Sequence, residues 1–174
     1  SLCESRYLFY SPDLKKYIPG AALFSLGAHF AGCFPILEYI RKILKELVAQ
    51  WNETCYFGVL EEGNVLYLAK EESSEPLRML TATGSRMPAY ATGIGKALLM
   101  DRTEADLKKL YPEGLTALTP HTLRSVSDLA AQLCRARAEG YTWETEESTA
   151  FIRCLAVPVR RNGAIAGAIS MAMP

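Results

Sequence analysis

The chain has 174 residues, 49% of them hydrophobic, and its 19 lysines and arginines balance 19 aspartates and glutamates. That length supports one domain with a real core, and the zero net charge argues against DNA binding by this stretch alone, because phosphate neutralisation needs a basic excess. The five cysteines (Cys3, Cys33, Cys55, Cys134 and Cys154) lack metal or redox spacing, and no apolar run reaches a bilayer's thickness, so a reduced, cytoplasmic protein is expected.

Residues 1–20 differ from the rest. Arg6-Tyr7-Leu8-Phe9-Tyr10 reads as a short aromatic strand, Ser11-Pro12-Asp13 as a turn, and Tyr17-Ile18 as a return strand closed by Pro19-Gly20. Two such strands make no stable unit alone, so they read as the end of something larger. Leu23, Leu26 and Phe30 follow at helical spacing, and Gly32 breaks the pattern. A stronger helix is predicted over 35–49, with Pro35 at its first position and Ile36, Ile40, Ile43, Leu44 and Leu47 on one face. The plain reading is a helix that covers a core.

A hairpin comes next, with strands over 55–60 and 65–69 about Glu62-Gly63-Asn64, and a third strand is expected over 77–83. Three helices follow. One begins near Gly93; Thr103 and Asp106 box the start of the second; the third, over 127–139, stops at Gly140. Strands over 141–145, 153–160 and 164–171 end the chain. Strands, helices, then strands predict an α+β domain: a mixed sheet with helices on its faces.

Three places carry chemical interest. Met87-Pro88-Ala89-Tyr90-Ala91-Thr92-Gly93-Ile94-Gly95-Lys96 runs a glycine loop into a helix, where free amides suit a carboxylate or phosphate. It is no phosphate-binding loop: Ala97 follows the lysine, and Tyr90 stands at the required upstream glycine. The bland alternative is a helix capped by Thr92. In the C-terminal hairpin, a three-residue loop with a left-handed Gly163 would pair Arg160 with Ala164 and Cys154 with Ser170. Leu155, Val157, Val159, Ile165 and Ile169 would then form a bulky face suited to a core. Cys154, Ala156, Pro158, Ala166, Ala168 and Ser170 would form a small-residue face, with room for a ligand or for a closely packed helix. In Trp143-Glu144-Thr145-Glu146-Glu147, Glu144 is expected to point inward and accept from a ligand hydroxyl, and Glu146 and Glu147 to be solvated. His29 and His121 are the only histidines, and neither lies in a motif that would make Cys154 a nucleophile; no catalytic residue, metal cluster or cofactor motif is found.

The order of these segments resembles the IclR family of bacterial regulators. The resemblance is carried by Tyr90 to Leu99, by Leu118-Thr119-Pro120-His121-Thr122-Leu123, by Gly140-Tyr141, by Glu146-Glu147, by Cys154-Leu155-Ala156-Val157-Pro158-Val159, and by Asn162-Gly163 through Ser170. It implies a GAF-like central antiparallel sheet flanked by helices, with residues 1–20 as the remnant of a DNA-binding wing, 21–32 as a linker helix and 33–174 as an effector-binding domain. It further implies a small-molecule carboxylate effector held by Met87, Gly93, Ile94, Glu144, Cys154 and Ser170. Operator DNA would be bound only through an upstream domain, by a homodimer or homotetramer. Phe151 stands where the family usually has glycine, so a ring there is expected to narrow or cover the pocket; Ala172 replaces a serine of some members. A GAF-like sensor from another signalling protein, or an enzyme using Cys154, are the alternatives.

Overall fold

A computed structural model describes residues 1–33, 35–75 and 81–174. Two compact units are present, Ser1–Tyr39 and Ile40–Pro174. In the first, β1 (Leu8–Ser11) and β2 (Lys16–Pro19) form an antiparallel hairpin in which Tyr10 faces Tyr17, their rings edge-to-face at 5.4 Å. The helix α1 (Ala21–Cys33) follows. It carries no charged residue, and Leu23, Phe24 and Leu26 are exposed.

Helix α2 (Pro35–Trp51) runs from the first unit into the second and buries the stripe of Leu37, Ile40 and Leu44. The second unit holds β3 (Thr54–Glu61), β4 (Asn64–Glu71), β5 (Arg86–Pro88), β6 (Thr142–Thr145), β7 (Arg153–Arg161) and β8 (Ala164–Met173). They form one antiparallel sheet in the order β5-β4-β3-β8-β7-β6. The expected strand over 77–83 falls largely outside the described residues; the strand that pairs with β4 is β5, whose three residues are too few to show a period.

Between the two halves of the sheet's strands lie α3 (Gly93–Leu99), α4 (Glu104–Leu110) and α5 (Val126–Glu139). Each start is capped as its sequence requires. The Thr92 hydroxyl accepts from the Gly95 amide at 3.1 Å, Thr103 and Asp106 close a capping box, and Ser125 accepts from the Asp128 amide at 3.0 Å. Gly140 ends α5 in the left-handed conformation.

The C-terminal hairpin differs from expectation in its turn. Asn162 and Gly163 both have positive φ, making a two-residue turn that pairs Arg161 with Ala164. The register then shifts between Val159 and Arg160, leaving Ala166 unpaired, so that Cys154 faces Ala172 and Ser170 faces Ala156. The bulge restores the parity that the three-residue loop would have given, and Cys154 and Ser170 do share a face. The roles of the faces are the reverse of those expected. The small-residue face is the core face: Ala156, Ala168 and Ala172 join Val65, Tyr67, Ile94, Leu99, Leu107, Leu129 and Leu133 in one buried cluster. The bulky face is the open one, with Leu155, Val159 and Ile169 half-buried and Val157 44% exposed. Small side chains let the helix backbone come down onto the strands, and the Gly93 start of α3 lies directly against Cys154.

Candidate functional site

The site grows out of that close approach. A Cβ placed on Gly93 would lie 2.8 Å from the Cβ of Cys154, so only glycine allows α3 to start where it does. The Thr142 hydroxyl donates to the Gly93 carbonyl at 2.8 Å and ties this start to β6. The Gly93 and Ile94 amides belong to the first helical turn, where no intrahelical acceptor exists.

Glu144, on β6, is paired in register with Cys154 and only 1% exposed. Its Oε1 accepts from the amides of Glu147 and, at 3.2 Å, of Ser148, which pins the following loop. Its Oε2 is buried without a partner among the described residues. Burial raises the Glu144 carboxyl above its ordinary value, against the amide bonds, which pull it down. Burial, reinforced by Glu144, also pushes the Cys154 thiol far up, so it stays protonated at neutral pH.

Glu147 corrects the expectation of a solvated acid. Its side chain is buried and ion-paired with Lys96 of α3, and its Oε2 is likewise unpartnered. Burial pulls the lysine's pKa down, while Glu147 opposes that shift. The loop carrying Glu147 is fastened from outside by the threonine segment: the Thr119 hydroxyl donates to the Glu146 carbonyl and the Thr122 hydroxyl to the Glu147 carbonyl, each at 2.6 Å. The buried core of the site thus holds one lysine and two carboxyls. Lys96 looks like a helix-surface residue in sequence; the only available signal for its pairing was the resemblance itself, which includes both Lys96 and Glu147 without linking them.

Gly93, Ile94, Glu144, Cys154 and Ser170 are therefore gathered around the start of α3 on one face of the sheet. Met87 stands apart. It lies on edge strand β5 opposite Val65, level with Leu60 on β3, and joins the others only through the common core cluster. Phe151 does not cover the site: its ring is 80% exposed. Its φ is +64°, the conformation that glycine adopts most easily. A cleft of about 370 Å³ opens at Thr54, Ser73, Ile152 and Ala172, beside the residue that Cys154 faces. Sequence reasoning missed two tyrosines of the same face, Tyr56 and Tyr67, whose rings meet edge-to-face at 5.2 Å. Strand alternation alone could have found Tyr56; Tyr67 is brought to that face by the tight turn that pairs Glu61 with Asn64, and so Gly58 with Tyr67, in place of the expected three-residue turn. His29 and His121 are both exposed, and among the described residues no group of His, Cys, Asp and Glu could hold a metal. No helix among them is long and apolar enough to cross a membrane.

Residues 29–174 match the family described as bacterial transcriptional regulator IclR C-terminal. The chain is 32% identical over 170 residues to the regulator KdgR of Dickeya chrysanthemi, covering 97% of this chain and 56% of that one. It is 31% identical over 147 residues to the repressor IclR of Escherichia coli, covering 83% and 54%. Among solved structures, an IclR homologue from Microbacterium hydrocarbonoxydans, complexed with 4-hydroxybenzoate, superposes with a TM-score of 0.87 at 22% identity, covering 99% of this chain and 72% of that one. The C-terminal domain of Escherichia coli KdgR gives 0.66 at 32% identity, covering 75% and 76%. The chain spans a little over half the length of the curated relatives it matches.

The sheet, its flanking helices and these relatives define the effector-binding domain of a bacterial transcriptional regulator, not an enzyme. The chain belongs to the IclR family.

Proposed function

We propose that this domain binds a small organic acid where α3 meets β6, β7 and β8, and that binding alters operator affinity in the intact regulator. The observation that carries this reading is the Glu144 Oε2, buried without a partner beside Cys154. An unpaired buried polar atom costs roughly 1–3 kcal/mol, which a hydrogen-bonded ligand offsets. A carboxylate ligand beside an acid requires Glu144 to hold its proton in the complex, the direction in which burial shifts it; the O–H then donates to the ligand. The Gly93 and Ile94 amides supply further donors, Cys154 and Ser170 flank the ligand, and Met87 belongs to the apolar shell. The cleft beside Ala172 is the route of entry. The complex of a structural neighbour with 4-hydroxybenzoate supports an acid as the effector class.

In this reading residues 1–20 are the end of a DNA-binding wing, 21–32 the linker helix and 33–174 the sensor. Operator contact is made by an upstream domain, and the effector must bind the two regulator states unequally to shift them. A dimer or tetramer suits a two-fold operator, and light scattering of the purified protein measures it.

The test is a thermal-shift series with pyruvate, gluconate, succinate, benzoate and 4-hydroxybenzoate. An acid present at about 100 times its Kd adds ~2.7 kcal/mol, which raises Tm by roughly 5–10 °C in a domain of this size. The rise is expected to vanish in a folded Glu144→Ala variant. A rise that persists there places the acid elsewhere.

A further inference from the structure

We propose that Tyr56 is a further effector-contacting residue, whose phenol hydroxyl selects acids that carry a second oxygen. This rests on the effector site proposed above. Tyr56 is on β3, directly opposite Ser170 of β8, and Ser170 is directly opposite Ala156 of β7, so Tyr56 extends the same face by one strand. The residue is 3% exposed, and its hydroxyl is buried with no hydrogen bond of normal geometry among the described residues, the Thr81 side chain being close enough to act on it. The ring is fixed on two sides, by Tyr67 edge-to-face and by the Lys70 ammonium 5.7 Å from its centroid. A ring held so firmly cannot swing its hydroxyl out to water.

The surroundings say what the hydroxyl faces. Tyr56 and Tyr67 both lie within electrostatic range of Cys154, Tyr67 also of Glu144, and the Tyr67 hydroxyl interacts with Thr92, the cap of α3. The two phenols and the Glu144 carboxyl therefore approach the cysteine along one face of the sheet, from strands on either side of β7. Burial pushes the Tyr56 phenol far above its usual range, so it remains a neutral donor and acceptor. Glu144 and Tyr56 sit on strands three spacings apart, about 14 Å at the main chain. One carboxylate does not fill both; an acid bearing an oxo or hydroxyl group does. Unpaired buried hydroxyls are few in native proteins, and this one shares its face of the sheet with a second unpaired oxygen, that of Glu144.

The experiment compares wild type with Tyr56→Phe, which keeps the ring and removes only the hydroxyl, with Tyr17→Phe as a surface control. Calorimetric titration with the same five acids gives Kd, and thermal melting gives the unliganded Tm. Tyr56→Phe is expected to weaken the oxygen-bearing acid that binds by about 5-fold, to leave benzoate unchanged, and not to lower the unliganded Tm. If an acid binds wild type and Tyr56→Phe equally, the tyrosine proposal is overturned and the sensor reading stands. A lower unliganded Tm in the variant overturns it too, since the hydroxyl then has a structural partner. If none of the five binds wild type, the sensor reading fails for these classes and the proposal falls with it.

Discussion

Replacing Lys96 by methionine tests how the site is held together. The lysine and Glu147 are both almost fully buried, and among the described residues Nζ is the only group that bonds the Glu147 carboxylate. Lys96→Met keeps the stem's apolar packing but leaves that carboxylate alone in the interior, a few residues from Glu144. Removing one partner of a buried pair costs about 3–5 kcal/mol, because the desolvation already incurred is no longer offset. Domains of this size hold ~5–15 kcal/mol in all, and each kcal/mol moves Tm by roughly 2–4 °C. A fall on the order of 10 °C is therefore expected in calorimetry, with the urea midpoint falling in step. Removing both charges should be far milder, since an apolar pair of similar volume needs no compensation. Lys96→Met with Glu147→Leu is thus expected to recover most of the loss, with a coupling energy of several kcal/mol across the cycle. A single-variant loss below ~1 kcal/mol, or a double variant as damaged as the sum of the singles, would show that the pair is solvated and the reasoning wrong.

Glu144 titrates with a definite sign. Its carboxyl is raised in the folded state from the ordinary 4.5, so between that pH and its folded value the folded chain binds more protons than the unfolded one. Its contribution is full at and below pH 4.5 and declines as the pH rises through the folded value; urea melts from pH 4.5 to 7 should show this decline in wild type and lose it in Glu144→Gln, and an opposite slope refutes it. Phe151→Gly relieves a left-handed side chain exposed to solvent, so a gain of up to ~1 kcal/mol in the urea melt is expected; a loss would mean that the ring has a packing role. Iodoacetamide applied to the native protein should label Cys3 and Cys134, which are exposed, and spare Cys55, which is buried, and Cys154, which is half-buried, the thiols of both being pushed up; rapid native labelling at Cys154 by mass spectrometry would revive a nucleophilic role for it.

What could be read in advance divides by the range of the interaction. The helix starts at Thr92 and Thr103, the stop at Gly140 and the left-handed Gly163 are set within three or four residues, and these features were legible; the Ser125 cap, two residues before the expected start, and the two-residue turn in which Asn162 shares the positive φ were not. The facing of Cys154 with Ser170 was half legible. Side-chain alternation fixed the shared face, but a bulge at Ala166 moved the partner by two residues, and nothing in Ala-Ile-Ala-Gly-Ala announces where the extra residue is taken up. Which face is covered was not legible, because it depends on a helix some 60 residues upstream. Small residues are ambiguous: they fit both a cavity and a close-packed backbone. The ambiguity is removed only by Gly93, whose missing side chain matches the Cys154 backbone in three dimensions. Glu147 was misread for the same reason. An acid in a run of acids looks solvated until the lysine that neutralises it, 51 positions away, is known to point at it. These nonlocal fits link Lys96 to Glu147, Glu147 to the Glu144 carboxyl, and Glu144 to the start of α3 through Cys154. A ligand that bonds the free oxygen of Glu144 thus acts on a residue whose other oxygen already anchors the loop, so occupancy of the site and the set of the loop over residues 145–152 change together. That coupling depends on one carboxyl facing both ways: Glu144→Gln, whose amide oxygen still accepts from the loop and whose N–H replaces the acid's O–H as donor, should keep both functions, and Glu144→Ala should lose ligand binding by calorimetry and the loop's protection from hydrogen exchange together.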